Sequence, residues 1–368
     1  MLVSALSAGQ AAAQADGTPP QVPADAAVQT PGWRPHDFSF IPLPIPISDP
    51  AIGDGLAVAA GLLYKAGGSE RPWTSGAGGL YTDSESWAAL LFQKAYIGAD
   101  RFRVLGAAGL GEFNVDFYGI GSEAGSRGFA IPITQDARFG VAQGLMRVAP
   151  HTYVGLQYRA IEMATTINLE TPPEFPDMDI PPRELDSRTS ALGISGEYDT
   201  RDNEYQPSSG LYGSVVWLQS AEALGSDHDY GRAELEVNGY TLTGDRTIWA
   251  WRASTCWAGD EAPFYDICNF GSQSDLRGYV QGRYRDHSMF AIQTEYRRRF
   301  AGRFGFVLFA GVGAVGPAFG DIGREELLPA AGVGLRYEAS RRYGVNVGVD
   351  YAVGEDSSAF YFRVGEAF

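Results

Sequence analysis

Three short segments carry residue types that could support hydrolysis or metal binding. Segment 193–197, Gly-Ile-Ser-Gly-Glu, is close to the Gly-x-Ser-x-Gly nucleophile elbow of hydrolases, but it ends in glutamate and lies within a predicted strand. Segment 287–288, His-Ser, pairs a base with a hydroxyl, yet adjacent residues of a strand face opposite ways. Segment 227–229, Asp-His-Asp, has metal-ligand chemistry, but polar loop residues of this kind are usually hydrated. With only four histidines and no converging set, we predict no catalytic residue, no metal, no cofactor and no enzymatic activity.

The most distinctive chemistry lies in segment 271–300. A loop rich in glycine and arginine carries Leu276, Arg277, Gly278 and Tyr279, and it leads into an alternating strand that ends in three arginines. A loop with this much charge beside such a strand is expected to pack into a polar space.

The two cysteines, Cys256 and Cys268, lie twelve positions apart. This spacing does not fit a metal site, and there is no second pair. In an exported protein we predict one disulfide between them.

The composition favours β-sheet. Glycine (47 of 368 residues) and aromatic residues (12%) are abundant, and both disfavour helix. The formal net charge is -16, so no nucleic-acid partner is expected, because phosphate binding needs a basic surface. No apolar segment reaches the 18 or so residues of a spanning helix. The chain is therefore either soluble or a membrane-spanning β-barrel.

Alternation with a period of two decides between these classes. In segment 343–353, valine and tyrosine alternate with glycine, asparagine, aspartate and alanine, and segments 331–338 and 192–199 behave similarly. A single core built from all these bulky faces would be very large. A lipid-facing band around a polar lumen accounts for them without a second layer. We therefore predict an all-β, transmembrane, antiparallel β-barrel in the bacterial outer membrane.

The pattern divides the chain into three parts. Residues 1–15 resemble a secretory signal peptide that has lost its beginning, residues 16–37 form a flexible periplasmic linker, and residues 38–368 form the barrel. Fifteen strands are predicted from residue 55 onward, and single-chain bacterial barrels have even numbers of strands. The sixteenth strand comes either from the proline-containing segment 38–47, which would precede a strand at 55–65, or from a division of segment 129–148.

Four segments resemble parts of the BamA/TamA family of outer-membrane barrels, the bacterial surface antigen family. Leu276 to Tyr279 resembles the signature Arg-Gly-aromatic loop, segment 117–121 resembles a recurrent motif, and segment 360–368 resembles the closing strand. The family's periplasmic turn motif is matched by Asp199, Arg201, Asp202, Asn203, Pro207 and Gly210.

The resemblance implies a barrel of sixteen strands with the Arg-Gly loop folded from the surface into the lumen. There Leu276, Arg277, Gly278 and Tyr279 would form a latch with Glu295, which matches an acidic position of the family. Where the family usually has an aspartate in the next strand, this chain has Gly311. Because a buried guanidinium needs a carboxylate partner, we predict that Glu295 carries most of that role.

The resemblance also implies an accessory role in outer-membrane biogenesis or protein export. The residues before the barrel leave no room for the polypeptide-transport-associated domains of the family, which argues against autonomous insertase activity. The alternative is a passive channel or structural barrel, in which the arginines of segment 296–299 and Arg336 set the charge selectivity of the lumen.

Expected partners follow from these features. The closing strand, with Phe360, Phe362 and Phe368, would be recognised by the outer-membrane assembly machinery during insertion. Acidic loops would face outer-membrane lipids and lipopolysaccharide, and a separate periplasmic protein could supply the missing domains. Prolines in the first strand would weaken its pairing with the last strand.

Overall fold

The computed structural model describes residues 38–66, 71–168, 185–203, 206–271, 275–322, 327–340, 345–355 and 357–368. The predicted signal peptide and linker lie outside the described residues, as does the acidic loop segment 169–184.

Sixteen antiparallel strands form one nearly closed barrel, which confirms the predicted fold class. The barrel strands are β1 (Phe38–Asp49), β2 (Gly53–Tyr64), β3 (Trp73–Thr82), β4 (Trp87–Ile97), β5 (Phe102–Phe117), β6 (Ile131–Ala149), β7 (Thr152–Ile167), β8 (Asp186–Asp199), β9 (Gly210–Ser220), β10 (Gly231–Leu242), β11 (Thr247–Ala258), β14 (Ser288–Ala301), β15 (Phe304–Gly316), β16 (Leu328–Ser340), β17 (Val345–Gly354) and β18 (Ser357–Val364).

Each barrel strand pairs with the next one along the chain. The connection between β11 and β14 holds a small hairpin of β12 (Cys268–Asn269) and β13 (Arg285–Asp286). Other connections contain, among the described residues, the short helices α1 (Ser122–Arg127) and α2 (Phe319–Ile322) and a 3-10 turn at Glu222–Leu224. We call the end of the barrel that carries the β11–β14 connection the loop end. The opposite end, where β1 begins and β18 ends, is the turn end.

The alternating faces place apolar side chains outside and polar or small ones inside. In β17, Tyr351 and Val353 are exposed, whereas Asp350 and Ala352 are buried in the lumen. Large apolar side chains such as Leu335, at 67% exposure, cover the outer surface. This distribution is typical of a lipid-facing wall around a polar interior.

Within the described ranges, no helix combines the length and apolar character needed to cross a membrane.

The proline-containing segment is the sixteenth strand. β1 pairs with β2 at every position from Phe38 to Asp49, and β6 runs unbroken, so the predicted division of segment 129–148 does not occur. In an antiparallel ladder, alternate residues direct their N–H and C=O groups to opposite neighbours. Pro42, Pro44 and Pro46 all share one direction. Because the continuous ladder to β2 needs N–H donors, we infer that the prolines lie on the other edge, toward β18.

The edges of β1 and β18 lie close together without a backbone ladder between them in the described part of the chain. We call this junction the seam. Three consecutive alternate positions of β1 lack an N–H donor on that edge, which gives a physical reason for the missing ladder.

Candidate functional site

The described residues of the connection between β11 and β14, 259–271 and 275–287, fold into the barrel, and we call this connection the lumen loop. A disulfide joins Cys268 at the start of its hairpin to Cys256 in β11. Inside the loop, the rings of Phe270 and Tyr284 are stacked with centroids 5.8 Å apart, and Tyr279 meets Phe270 edge to face at 5.6 Å. The largest cluster of buried apolar side chains is therefore in the lumen, between the loop and the wall.

Leu276 occupies space that glycines leave on β15. The side chain is fully buried, and a Cβ added at Gly311 would lie 2.8 Å from Leu276 Cδ1. An aspartate at position 311, as in the family pattern, would collide with this leucine. The departure at Gly311 therefore has a packing reason.

Arg277 is completely buried between two carboxylates. Its guanidinium forms ion pairs with Glu295 on β14 and with Asp350 on β17, where Nη1 lies 2.5 Å from Oδ2. The guanidinium group of Arg277 lies over the ring of Phe309, with Cζ 3.5 Å from the ring centroid. That ring in turn packs where Gly332 has no side chain, since a Cβ there would lie 2.3 Å from it.

Gly278 and Tyr279 bind the remaining strands of this wall. Gly278 N–H donates to the hydroxyl of Tyr361 on β18 at 2.9 Å, and Tyr279 hydroxyl donates to the carbonyl of Pro329 on β16 at 2.6 Å. Gly278 has φ of 112°, and a Cβ there would approach the backbone of Val353 and Gly354 to 2.9 Å, so only glycine fits. The four signature residues together bridge β14 to β18.

The expectation that Glu295 carries most of the pairing is wrong, because Asp350 supplies a second carboxylate that sequence reasoning missed. Asp350 is the one acid on the glycine-rich inner face of its strand. An acid at such a position is a signal in the sequence. Its ion pair with Arg277, however, depends on the pairing of β14 to β17 in the folded barrel.

The ion pairs continue from Arg277 toward the turn end. Glu295 also accepts a hydrogen bond from Arg297 at 2.6 Å, and Arg297 Nη2 donates to the carbonyl oxygen of Phe368 at 2.9 Å. Asp350 pairs in the same way with Arg336, whose Nε donates to Glu366 at 3.0 Å. We call this set, with Arg363 beside Asp350 at 2.8 Å, the lumen network.

A second anchor holds the lumen loop to the opposite wall. Asp266 of the loop pairs with Arg159 on β7, and it also accepts a hydrogen bond from the hydroxyl of Tyr230. Arg232 on β10 lies 3.9 Å from the same carboxylate. Burial alone would raise the pKa of Asp266, but the positive charges of Arg159 and Arg232 outweigh it and the pKa is lowered.

The β5–β6 connection supports the loop from a third side. Its segment 117–121 leads into α1, and Gly121 N–H donates to the carbonyl of Arg285 at 2.8 Å. Arg283 of the lumen loop donates from Nε to the carbonyl of Gly125 in α1 at 2.9 Å. The recurrent motif therefore contacts the lumen loop at Arg285.

The predicted turn motif forms the β8–β9 connection at the turn end. Asp199 accepts a hydrogen bond from Arg201 at 2.9 Å, and Asp202 accepts from the N–H groups of Asn203 and Ser208 at 3.0 and 2.9 Å. Gly210 has φ of 102°, and a Cβ there would lie 2.2 Å from the Thr200 carbonyl oxygen. Pro207 is buried in this turn.

The three aromatic residues of the closing segment have different surroundings. Phe360 lies on the outer surface, 53% exposed, and Phe362 lies on the same outer face. Phe368 instead turns inward beside Arg297, with the guanidinium 5.1 Å from its ring centroid.

The residues with hydrolytic or metal-binding chemistry lie apart and have structural contacts. Ser195 accepts a hydrogen bond from Gln143 at 2.9 Å, and His287 Nδ1 lies 3.1 Å from the Gly259 carbonyl oxygen. Asp227 accepts from the N–H of Arg188 at 2.7 Å. In the described ranges, no three His, Cys, Asp or Glu side chains are grouped to hold a metal ion.

A chamber of about 570 Å³ remains between the lumen loop and the walls. Seven basic and eight acidic residues line it, so its charge is nearly balanced. Arg297 and Arg336 lie in ion pairs of the lumen network, and Arg298 and Arg299 are exposed. Arg298 faces the other side of the wall from Arg297 and Arg299, because neighbouring strand residues alternate in direction. That the arginines of segment 296–299 and Arg336 set the charge selectivity of the lumen stays a prediction.

Comparison with known proteins identifies a family and a set of barrels with a similar fold. The Omp85 superfamily domain matches residues 71–368. A solved structure of BamA from Haemophilus ducreyi lacking POTRA domains 1–3 matches with TM-score 0.56 and 16% identity, over 89% of this chain and 70% of that one. No curated protein matches significantly.

Two CdiB structures are also similar in fold. CdiB from Acinetobacter baumannii gives TM-score 0.60 and 13% identity, over 89% of this chain and 59% of its own. CdiB from Escherichia coli gives 0.62 and 12%, over 92% and 63%. The chain thus spans about three fifths of the length of the CdiB chains.

Replacing Arg277 with glutamine should lower the free energy of unfolding by up to about 3–5 kcal/mol, because two buried carboxylates each lose one of their arginine partners. Glu295→Gln alone should cost less than Glu295→Gln with Asp350→Asn. Urea unfolding in detergent and protease cleavage of the lumen loop measure both effects. Arg138→Gln, which removes an exposed pair at 3.8 Å, is the matched control and should change neither. Full release of the loop by Glu295→Gln alone would contradict a shared role for Asp350.

The Asp266 anchor should depend on pH. Because its pKa is lowered in the folded barrel, its contribution is present above the ordinary value of 3.8 and is lost as pH falls through the lowered value. The difference in unfolding free energy between the native chain and Asp266→Asn should therefore shrink in that range. Asp260→Asn, an exposed change in the same loop, should show no such difference. A difference independent of pH would show that the carboxylate charge is not what anchors the loop.

Proposed function

Because the chain belongs to the Omp85 superfamily, we propose that it is an outer-membrane barrel with an accessory role in outer-membrane biogenesis or protein export. The BamA and CdiB barrels that it resembles in fold support this placement. The loop end would face outward, and the turn end, with its turn motif, would face the periplasm. Its expected partners are the outer-membrane assembly machinery and the lipids of the outer membrane.

The seam is the observation that carries this proposal. A barrel that only conducts solutes gains nothing from an open edge, whereas a barrel that handles other strands or chains can use one. β1 offers β18 no continuous row of N–H donors, and an unpaired edge is a template for another strand. The lumen loop meanwhile holds β17 and β18 from inside, so the barrel persists without full closure.

The alternative function is a passive channel. The chamber of about 570 Å³ and its nearly balanced charges favour it, because a hydrated interior without excess charge is compatible with conduction. The lumen loop opposes it, since the loop occupies the loop-end half of the same lumen.

Deletion of residues 272–286 separates the two functions. We expect the native barrel to show no steady conductance in planar bilayers and the deletion to open a stable pore, because the loop occupies the loop-end half of the lumen. Shortening the connection 222–225, which is mostly exposed, is the control and should leave the barrel closed. Steady open pores in the native protein would favour the channel.

Replacing Pro42, Pro44 and Pro46 with valine tests the seam. The change returns three N–H donors to the edge of β1, each worth about 1 kcal/mol when paired. Amide exchange in segment 358–364 should slow by at least about tenfold, and outer-membrane protein assembly or export in cells should fall. Pro132→Val, an exposed strand proline elsewhere, should change neither. Full biogenesis activity with a tightened seam would overturn the proposal.

A further inference from the structure

Four exposed arginines gather at the turn end where β11, β14 and β15 meet. We call them the basic rim, and they are Arg246, Arg298, Arg299 and Arg303. Arg246 precedes β11, and its carbonyl accepts a hydrogen bond from the N–H of Arg299 at 3.1 Å. Arg303 lies in the β14–β15 turn. This concentration of positive charge occurs in a chain whose net charge is -16.

Most of this charge is not neutralised by the protein. Arg299 pairs with Glu338 at 3.0 Å and donates to Gln206 at 2.9 Å. Arg298 donates to the hydroxyl of Tyr296 at 3.2 Å. Among the described carboxylates, none forms an ion pair with Arg246, Arg298 or Arg303.

The basic rim borders a cleft of about 250 Å³. Six arginines and two acids line it. Arg297 and Arg336 are neutralised by Glu295, Asp350 and one of the two lining acids, Glu366, so the excess positive charge comes from the basic rim. Asp245 is the other acid. The surplus of positive charge is what an anion would meet on entering the cleft.

A belt of aromatic rings lies beside the basic rim on the outer face of the barrel. Trp249 meets Tyr296 edge to face, with ring centroids 5.2 Å apart. The ring centroid of Phe306 lies 6.0 Å from that of Tyr296 and 6.2 Å from that of Phe300. Aromatic residues collect at the level of lipid headgroups, and arginines there extend toward the phosphates. The aromatic belt and the basic rim thus lie where the acyl chains of a membrane would meet the lipid headgroups.

We propose that the basic rim binds the phosphodiester headgroup of an anionic phospholipid, with the acyl chains against the aromatic belt. Guanidinium groups match phosphate oxygens in a bidentate geometry, and three of them here are available. An acidic protein segment would use the arginines but would not need the outward aromatic belt. The belt therefore favours a lipid over a protein partner. This inference needs only that the barrel spans a membrane, and it is independent of the seam.

The test compares the full chain with Arg246→Gln/Arg298→Gln/Arg303→Gln, each reconstituted in nanodiscs containing phosphatidylglycerol and phosphatidylcholine. Native mass spectrometry after release counts the retained lipids. The triple variant should lose at least about tenfold in phosphatidylglycerol retention, since each arginine near an anionic headgroup contributes to binding. Retention of phosphatidylcholine should not change.

Arg101→Gln/Arg147→Gln is the matched control. These two arginines are also exposed at the turn end and lie away from the cleft. Arg101 lies in the β4–β5 turn, 5.6 Å from the ring centroid of Phe102, and Arg147 lies on β6. The control should retain phosphatidylglycerol fully, and the mobility of unheated protein in gels should show that both variants fold.

Two results would overturn the proposal. The first is an equal loss in the control, which would mean that overall surface charge attracts the lipid. The second is full retention of phosphatidylglycerol in the triple variant. If that variant also no longer binds a polyglutamate peptide, the basic rim is assigned to an acidic protein partner.

Discussion

The buried charge of Arg277 is the constraint around which this barrel is built. A guanidinium without solvent costs several kcal/mol unless carboxylates neutralise it and accept its hydrogen bonds. Its partners, Glu295 and Asp350, belong to strands that are not neighbours. Both carboxylates reach it only when β14 to β17 are in the correct register. The lumen loop therefore depends on the wall, and the wall's inner face is ordered by the loop.

This mutual dependence explains how the barrel tolerates a weak junction. β18 lacks a ladder to β1, but its Tyr361 accepts a hydrogen bond from Gly278 of the lumen loop. The neighbouring β17 carries Asp350. The strands beside the seam are thus held from within the lumen rather than by closure of the sheet. A change in the loop would consequently be felt first at the seam.

Charge is arranged according to its surroundings. Inside the lumen nearly every arginine has a carboxylate, as with Arg159 and Asp266 or Arg336 and Asp350, because unpaired charge is costly there. The basic rim can carry uncompensated arginines because it lies at the surface, where water or a lipid phosphate solvates them. The same residue type therefore serves packing inside the barrel and recognition at its end.

The fold class can be predicted from the amino-acid sequence alone, because alternation with a period of two is a local property and the bulky faces that it creates need contact with lipid. The sequence also identified the signature loop and Glu295, since these lie within one continuous segment. The ion pair of Asp350 with Arg277 could not be predicted in this way, because the two residues meet only after four strands have paired in register. Three further features depend on tertiary structure in the same way. They are the packing of Leu276 against Gly311, the inward position of Phe368 and the grouping of the four arginines in the basic rim. Each joins residues far apart in the chain, and their proximity follows from strand order and register rather than from any local pattern.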